Sequence, residues 1–179
     1  VIMCVDRAGI VGNDGETHQG IYDMAFFRLI PNICIMAPKD FTELEKMLDF
    51  AVSLKKPVVI RYPIGGEWKE KFTEHKNIEL GKCEKVKTIL LENDKKYVTI
   101  IAIGNMVSKS MQIARALSEK NIEAEVINAR FLKPLDKESI IQSIEKTKKC
   151  ITIEDGTIIG GLGSAIKELI SEENLKDIQ

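Results

Sequence analysis

Short apolar runs of strand length alternate here with segments whose apolar residues recur at helical spacing, and this alternation limits the fold class more than any other feature. Val1 to Val5, Asn32 to Met36 and Val58-Val59-Ile60 are runs of the first kind. They are too short for helices and continuous rather than alternating, as expected of strands buried on both faces of a parallel sheet. Residues 21–29 have a helical pattern. Asp40 with Glu43 three residues on resembles a capping box, and Leu44, Met47, Leu48 and Ala51 follow on one helical face. Lys55 and Lys56 suit the negative end of that helix. Residues 1–63 therefore read as strand, long loop, helix, strand, helix, strand: a βαβ pattern with a parallel sheet.

Residues 64–79 are charged, aperiodic and contain the only Trp, which predicts a linker. A second set of elements follows. Lys82–Leu91 and Tyr97–Ile103 read as two strands of a hairpin around Asn93-Asp94-Lys95. A helix carries Val107, Met111, Ala114 and Leu117, with Asn121 at its C-terminal end. A strand over Ala124–Ile127, a helix capped by Asp136, a strand over Cys150–Ile153 and a last helix opening near Ser164 complete the pattern. The expected fold is α/β, with two three-layer units and a mainly parallel sheet in the second. Their expected bounds are residues 1–66 and 80–179, with 67–79 between them.

Composition narrows the function classes. The 26 basic and 27 acidic residues are balanced, so no basic stripe points to nucleic acid. No apolar run reaches membrane-spanning length. Cys4, Cys34, Cys83 and Cys150 are far apart and lie in apolar stretches, the pattern of reduced core cysteines in a cytoplasmic protein.

The loop after the first strand, Asp6 to Gly20, holds four glycines, two aspartates, an arginine and a histidine. A loop that only connects elements does not need that combination. Arg7, Asp14, His18 and Arg61 all follow the C-terminal ends of expected parallel strands, the edge where open α/β sheets carry ligands. Two guanidinium forks suit a phosphate or carboxylate, and an imidazole titrating near neutrality suits proton relay. The competing reading is that Arg7 and Arg61 pair with Asp6 and Asp14 and only brace the loop. Elsewhere the bland reading is preferred. His75, in the charged linker, is expected to be a solvated surface residue. Gly160 to Ser164 lacks the spacing of a dinucleotide loop and suits close helix–sheet packing. A loop-and-cap role accounts for Arg130 to Asp136.

Several motifs resemble the thiamine-diphosphate enzymes of the transketolase group, and in particular the 1-deoxy-D-xylulose-5-phosphate synthases. They are Asp6-Arg7-Ala8-Gly9, Asp14-Gly15, Thr17-His18-Gln19-Gly20 with Tyr22-Asp23, Ile30-Pro31-Asn32, Met36-Ala37-Pro38, Arg61-Tyr62-Pro63, Arg130-Phe131 with Lys133-Pro134-Leu135-Asp136, and Gly160-Gly161 with Gly163-Ser164. The resemblance implies a condensation of pyruvate with glyceraldehyde 3-phosphate, releasing CO2, that feeds isoprenoid, thiamine and pyridoxal synthesis. It implies that Arg7 and Arg61 hold the acceptor's phosphate and that Asp14 and His18 are catalytic residues near the thiazolium. It also implies a cytoplasmic homodimer with thiamine diphosphate and Mg2+ in the full-length parent. The family's magnesium motif and activating glutamate have no counterpart here, so no residue is assigned to the cofactor or to a metal. The chain then corresponds to the second half of the pyrimidine-binding domain plus a C-terminal domain incomplete at its end, and such a fragment is expected to be inactive alone. Ile64 stands where many relatives carry a further arginine.

Transketolase itself or the β-subunit of a 2-oxo-acid dehydrogenase is the alternative within enzymes. A non-enzymatic dimerisation module is the alternative outside them. Addition of a thiamine-diphosphate-binding partner separates these, since a β-subunit gains activity and a bare module does not.

Overall fold

The computed structural model describes residues 1–65 and 71–179. The linker expected over 64–79 therefore lies partly outside the described residues. The elements run β1 (Ile2–Val5), a 3-10 turn (Glu16–His18), α1 (Asp23–Arg28), β2 (Cys34–Met36), α2 (Phe41–Ser53), β3 (Val58–Arg61), β4 (Glu84–Lys87), β5 (Lys96–Ala102), α3 (Met106–Ser118), β6 (Ile122–Asn128), β7 (Phe131–Lys133), α4 (Lys137–Thr147), β8 (Cys150–Ile153) and α5 (Leu162–Glu172). They form two four-stranded sheets, ordered β1-β3-β2-β7 and β4-β6-β5-β8. Both are α/β sheets of mainly parallel strands. In the first, β3 pairs in parallel with β1 and β2. In the second, β5 pairs in parallel with β6 and β8.

Local chemistry sets the helix boundaries. The Asp40 carboxylate accepts from the Glu43 amide at 2.8 Å and starts α2. Asp136 does the same for α4 through the Ser139 amide at 3.3 Å. Lys148 ends α4 in the left-handed conformation, φ 58°. Residues i, i+4 and i+8 of α2, namely Glu43, Met47 and Ala51, are its buried face.

Three apolar clusters fill the interior. Met36, Met47, Val58 and Ile60 lie between the first sheet and α2. Val98, Ile100, Ala114 and Val126 lie between the second sheet and α3. The third combines Ile35, Ala37 and Val59 of the first sheet region with Ile101, Ile127, Ile144 and Leu169 of the second. The two sheets thus share one core.

Their connection goes further. β7 leaves the second set of elements and pairs antiparallel with β2 of the first sheet, Ile35 opposite Lys133 and Met36 opposite Phe131. Phe131 is completely buried there. Below it lies a charge cluster. Arg130 Nε donates to Glu43 Oε1 at 2.7 Å, and its Nη2 lies 3.4 Å from Glu84. Lys39 pairs with Glu84, and Asn128 Nδ2 donates to Glu43 at 3.0 and 3.1 Å. Burial alone would raise the Glu84 pKa, but the Lys39 hydrogen bond and the Lys39 and Arg130 charges outweigh it and hold the carboxyl below its ordinary range.

Four expectations are corrected. Residues 82–103 do not form a hairpin: β4 pairs antiparallel with β6, not β5, because β6 lies between them. His75 is not a solvated surface residue, since its Nε2 lies 2.7 Å from Asp40 Oδ2 and its side chain is 15% exposed. Arg130, in the connection from β6 to β7, does more than a loop-and-cap role requires: it is buried and pairs with Glu43 and Glu84. Cys4 is exposed, on edge strand β1. The other cysteines are free thiols, and burial pushes Cys34 up to about 11 and Cys83 and Cys150 up to about 12. No described helix is long and apolar enough to cross a membrane.

Candidate active site

The loop after β1 is folded back on itself by two glycines. Gly9 and Gly20 exchange backbone hydrogen bonds at 2.8 and 2.9 Å. A Cβ on Gly20 would stand 2.1 Å from the Arg7 carbonyl oxygen, so only glycine permits this approach. The Ala8 amide donates to the Tyr62 carbonyl at 3.1 Å and ties the loop to the end of β3. Between these anchors Arg7 has a left-handed backbone, φ 58°, a conformation that surrounding contacts must impose on a non-glycine residue.

Arg7 is braced and still accessible. Its Nε donates to Asp14 at 2.7 Å and its Nη1 to Asp6 at 2.8 Å, with the side chain 38% exposed. The Asp14 hydrogen bond and the two carboxylate charges raise its pKa, so the guanidinium is always charged. Asp14 is half-buried, with its carboxylate committed to Arg7. His18 is exposed in the 3-10 turn, and its Nδ1 lies 2.9 Å from Thr17 Oγ1.

Arg61, the last residue of β3, is buried rather than open. Its Nε donates to Asp23 Oδ2 at 2.6 Å, and its Nη2 reaches the carbonyls of Gly20, at 2.9 Å, and Asp155. The loop-brace reading of the arginines named Asp6 and Asp14 as partners. Arg7 takes both, whereas Arg61 takes Asp23.

Three residues that the sequence did not mark as candidate site residues also shape this edge. Gln19 accepts from the Val11 amide at 2.6 Å and donates to the carbonyls of Val11, Asp14 and Gly15 at 3.0 to 3.2 Å, holding the loop in a tight coil. Asp23 orients Arg61. Asp155 comes from the second sheet, and its Oδ1 accepts from the Ile10 amide at 3.3 Å. The motif Thr17-His18-Gln19-Gly20 held the signal for Gln19. No local pattern marks a partner 145 residues away.

A cleft of about 330 Å3 lies beside the loop, lined by Ala8, Ile10, Asn13, Pro63, Asn105 and Asp155, among others. It opens where β1, β3, β5 and β8 all end, so the C-terminal edges of both sheets converge on it. The Gly-rich turn before α5 is satisfied from within the chain. Its Leu162 and Gly163 amides donate to the Glu154 carboxylate at 2.8 Å each, so the chain supplies its own anion to that helix N-terminus.

A family model described as Transketolase, C-terminal domain matches residues 87–179, more than half the chain. The chain belongs to the transketolase family. A second model, Transketolase, pyrimidine binding domain, matches residues 1–65. Among curated proteins, a 1-deoxy-D-xylulose-5-phosphate synthase of Halothermothrix orenii is 49% identical over 180 residues, covering 100% of this chain and 27% of that protein. One from Caldanaerobacter subterraneus subsp. tengcongensis is 46% identical over 175 residues, covering 98% of this chain and 27% of that protein. A solved structure described as a split gene transketolase, inactive beta4 tetramer, superposes with a TM-score of 0.84 at 33% identity, covering 96% of this chain and 54% of that one. This transketolase-family chain therefore spans about a quarter of the length of its curated relatives, 27% in each of these two.

Proposed function

We propose that the chain is part of a 1-deoxy-D-xylulose-5-phosphate synthase and supplies the edge that receives the aldehyde acceptor. One observation carries the reading. In a chain similar over its whole length to such synthases, Arg7 is braced by two carboxylates at a sheet's C-terminal edge, with His18 exposed in the same loop. The reaction joins pyruvate to D-glyceraldehyde 3-phosphate and releases CO2.

Each residue's role follows from its surroundings. Arg7 contacts the acceptor's phosphate. Its Nε and Nη1 are held by Asp14 and Asp6, and its Nη2 has no partner among the described residues, so the Nη2 N–H groups are left to donate to a phosphate. Arg61 adds its charge from beneath the loop, with Asp23 and two carbonyls fixing its position. Asp14 keeps Arg7 in its productive rotamer. His18 donates to the acceptor's carbonyl oxygen as negative charge develops there and delivers a proton to it.

Thiamine diphosphate and its Mg2+ belong to the reading through the family. Among the described residues no three His, Cys, Asp or Glu side chains converge as metal ligands. The described residues thus offer no ligand set for the metal, and no step is derived through the cofactor.

The proposed assembly is a homodimer. Tyr22, Phe26 and Leu29 are 62%, 51% and 82% exposed, and Ile158 and Ile159 are 88% and 81% exposed. These two groups adjoin, because the Gly160 carbonyl accepts from Arg28 Nη1 at 3.1 Å and the Thr157 amide donates to the Ile21 carbonyl at 2.9 Å. An apolar patch formed by α1 and the turn after β8 suits burial against a second copy.

Incubating the complete enzyme with both substrates tests the function. CO2 release that requires glyceraldehyde 3-phosphate and yields 1-deoxy-D-xylulose 5-phosphate is the expected result. Transfer of a two-carbon ketol unit between sugar phosphates instead would make it a transketolase.

A further inference from the structure

The arginine edge belongs to the first sheet, yet it is pinned from the second. The turn after β8, Glu154 to Gly160, docks on the loop and on α1. Asp155 makes the decisive contacts. Its side-chain Oδ1 accepts from the Ile10 amide at 3.3 Å, three residues beyond Arg7. Its backbone carbonyl accepts from Arg61 Nη2. One residue of the second sheet thus meets both arginine stations, through different atoms.

The fit around that carboxylate is close. A Cβ on Gly9 would stand 1.9 Å from Asp155 Oδ2, and Gly9 has φ +82°, so the loop backbone is shaped to admit this one side chain. Arg7 lies two residues earlier, with φ 58°, and its other restraints include its ion pairs to Asp6 and Asp14, the Gly9–Gly20 backbone pair and the Ala8–Tyr62 hydrogen bond. Every one of these restraints acts within the first sheet and its own loop. Among the described residues Asp155 makes the side-chain hydrogen bond that ties the loop to the second sheet's elements, across the cleft that both line.

We propose that Asp155 is a positioning residue for acceptor binding, which holds the Arg7 loop in register so that the guanidinium meets the acceptor's phosphate. This rests on the assignment of Arg7 to that phosphate. Removing the side chain frees the Ile10 amide but leaves the carbonyl contact to Arg61 intact. The damage therefore falls on Arg7, and it falls on recognition of the phosphate rather than on the chemistry of pyruvate.

The test compares Asp155→Ala, Asp155→Asn and Arg7→Ala in the complete enzyme, with pyruvate saturating. Glyceraldehyde 3-phosphate or unphosphorylated glyceraldehyde is the varied acceptor. Asp155→Ala is expected to raise KM for glyceraldehyde 3-phosphate about fivefold, the effect of one ordinary hydrogen bond. Its KM for pyruvate and its kinetics with glyceraldehyde should stay at wild-type values. Asp155→Asn keeps an acceptor oxygen and should restore most of the loss. Where the Ala variant does not fold, Asp155→Ser, whose hydroxyl is one bond short of Ile10, takes its place. A lowered melting temperature with an unchanged acceptor KM would make Asp155 a structural residue and overturn the proposal. Equal losses with both acceptors, or no recovery in Asp155→Asn, would overturn it as well. If Arg7→Ala raises the acceptor KM and Asp155→Ala does not, only the positioning role fails. If Arg7→Ala leaves it unchanged, the phosphate assignment fails and takes this proposal with it.

Discussion

At the scale of single residues, accessibility separates the side chains proposed to meet substrate from those that brace them. His18 is exposed, and its one side-chain partner among the described residues is the neighbouring Thr17. Its removal costs little packing. His18→Ala is therefore expected to lower kcat of the complete enzyme about a hundredfold or more while leaving the melting temperature nearly unchanged. Near-normal turnover with a lower melting temperature, measured on one preparation, would make it a loop brace. Arg7, Asp14 and His18 were legible as candidates because their chemistry is unusual for a plain connection and they follow a strand end. The difference between Arg7 and Arg61 was not legible. Both stand at strand ends, and only the packing of Asp23 and Gly20 shows that Arg61 is buried.

At the scale of elements, the capped helices and most strands could be read directly, because caps and periodicity are local. The Asp40 and Asp136 carboxylates sit where their spacing placed them. What failed was pairing. β4 and β5 are close in sequence, but β6 displaces β4 from β5, an outcome fixed by contacts some forty residues apart. Two predictions belong at this scale. A methyl at Gly20 meets the Arg7 carbonyl at 2.1 Å, so Gly20→Ala is expected to destabilise by on the order of 1 to 3 kcal/mol, read from denaturant unfolding. Glu84 has a folded-state pKa below its ordinary value, so its contribution is present at neutral pH and is lost as pH falls from the ordinary carboxylate range through the folded pKa. Glu84→Gln leaves Lys39 and Arg130 under-compensated and is expected to cost about 3 kcal/mol at neutral pH. The same variant should show a flatter acid limb of stability. An unchanged acid limb would remove Glu84 as a contributor to acid unfolding.

At the scale of the whole molecule, two sheets act as one body. β7 carries Phe131 into the core of the first sheet, and Arg130 reaches Glu43 at the start of α2. Neither was visible in the sequence, where residues 130–136 look like an ordinary loop and cap. The consequence is cooperative unfolding: calorimetry of this chain should give one transition, with a calorimetric-to-van't Hoff enthalpy ratio of about one. Two separated transitions would show that the shared core does not couple the sheets. Phe131→Ala should cost about 3 to 5 kcal/mol and lower that single transition as a unit. The C-terminal edges of both sheets converge on one cleft, and the loop that carries Arg7 is held from both sides.

The central claim is that Arg7 recognises the phosphate of the acceptor. Its most direct test is kcat/KM of the complete enzyme for glyceraldehyde 3-phosphate and for unphosphorylated glyceraldehyde, in wild type and in Arg7→Ala. Loss of a charge-assisted contact of about 2 kcal/mol should lower the phosphorylated-to-unphosphorylated preference about thirtyfold, with the pyruvate KM unchanged. Arg7→Lys should recover part of it, because an ammonium keeps the charge and lacks the fork. A preference that stays at the wild-type value in Arg7→Ala would contradict the account.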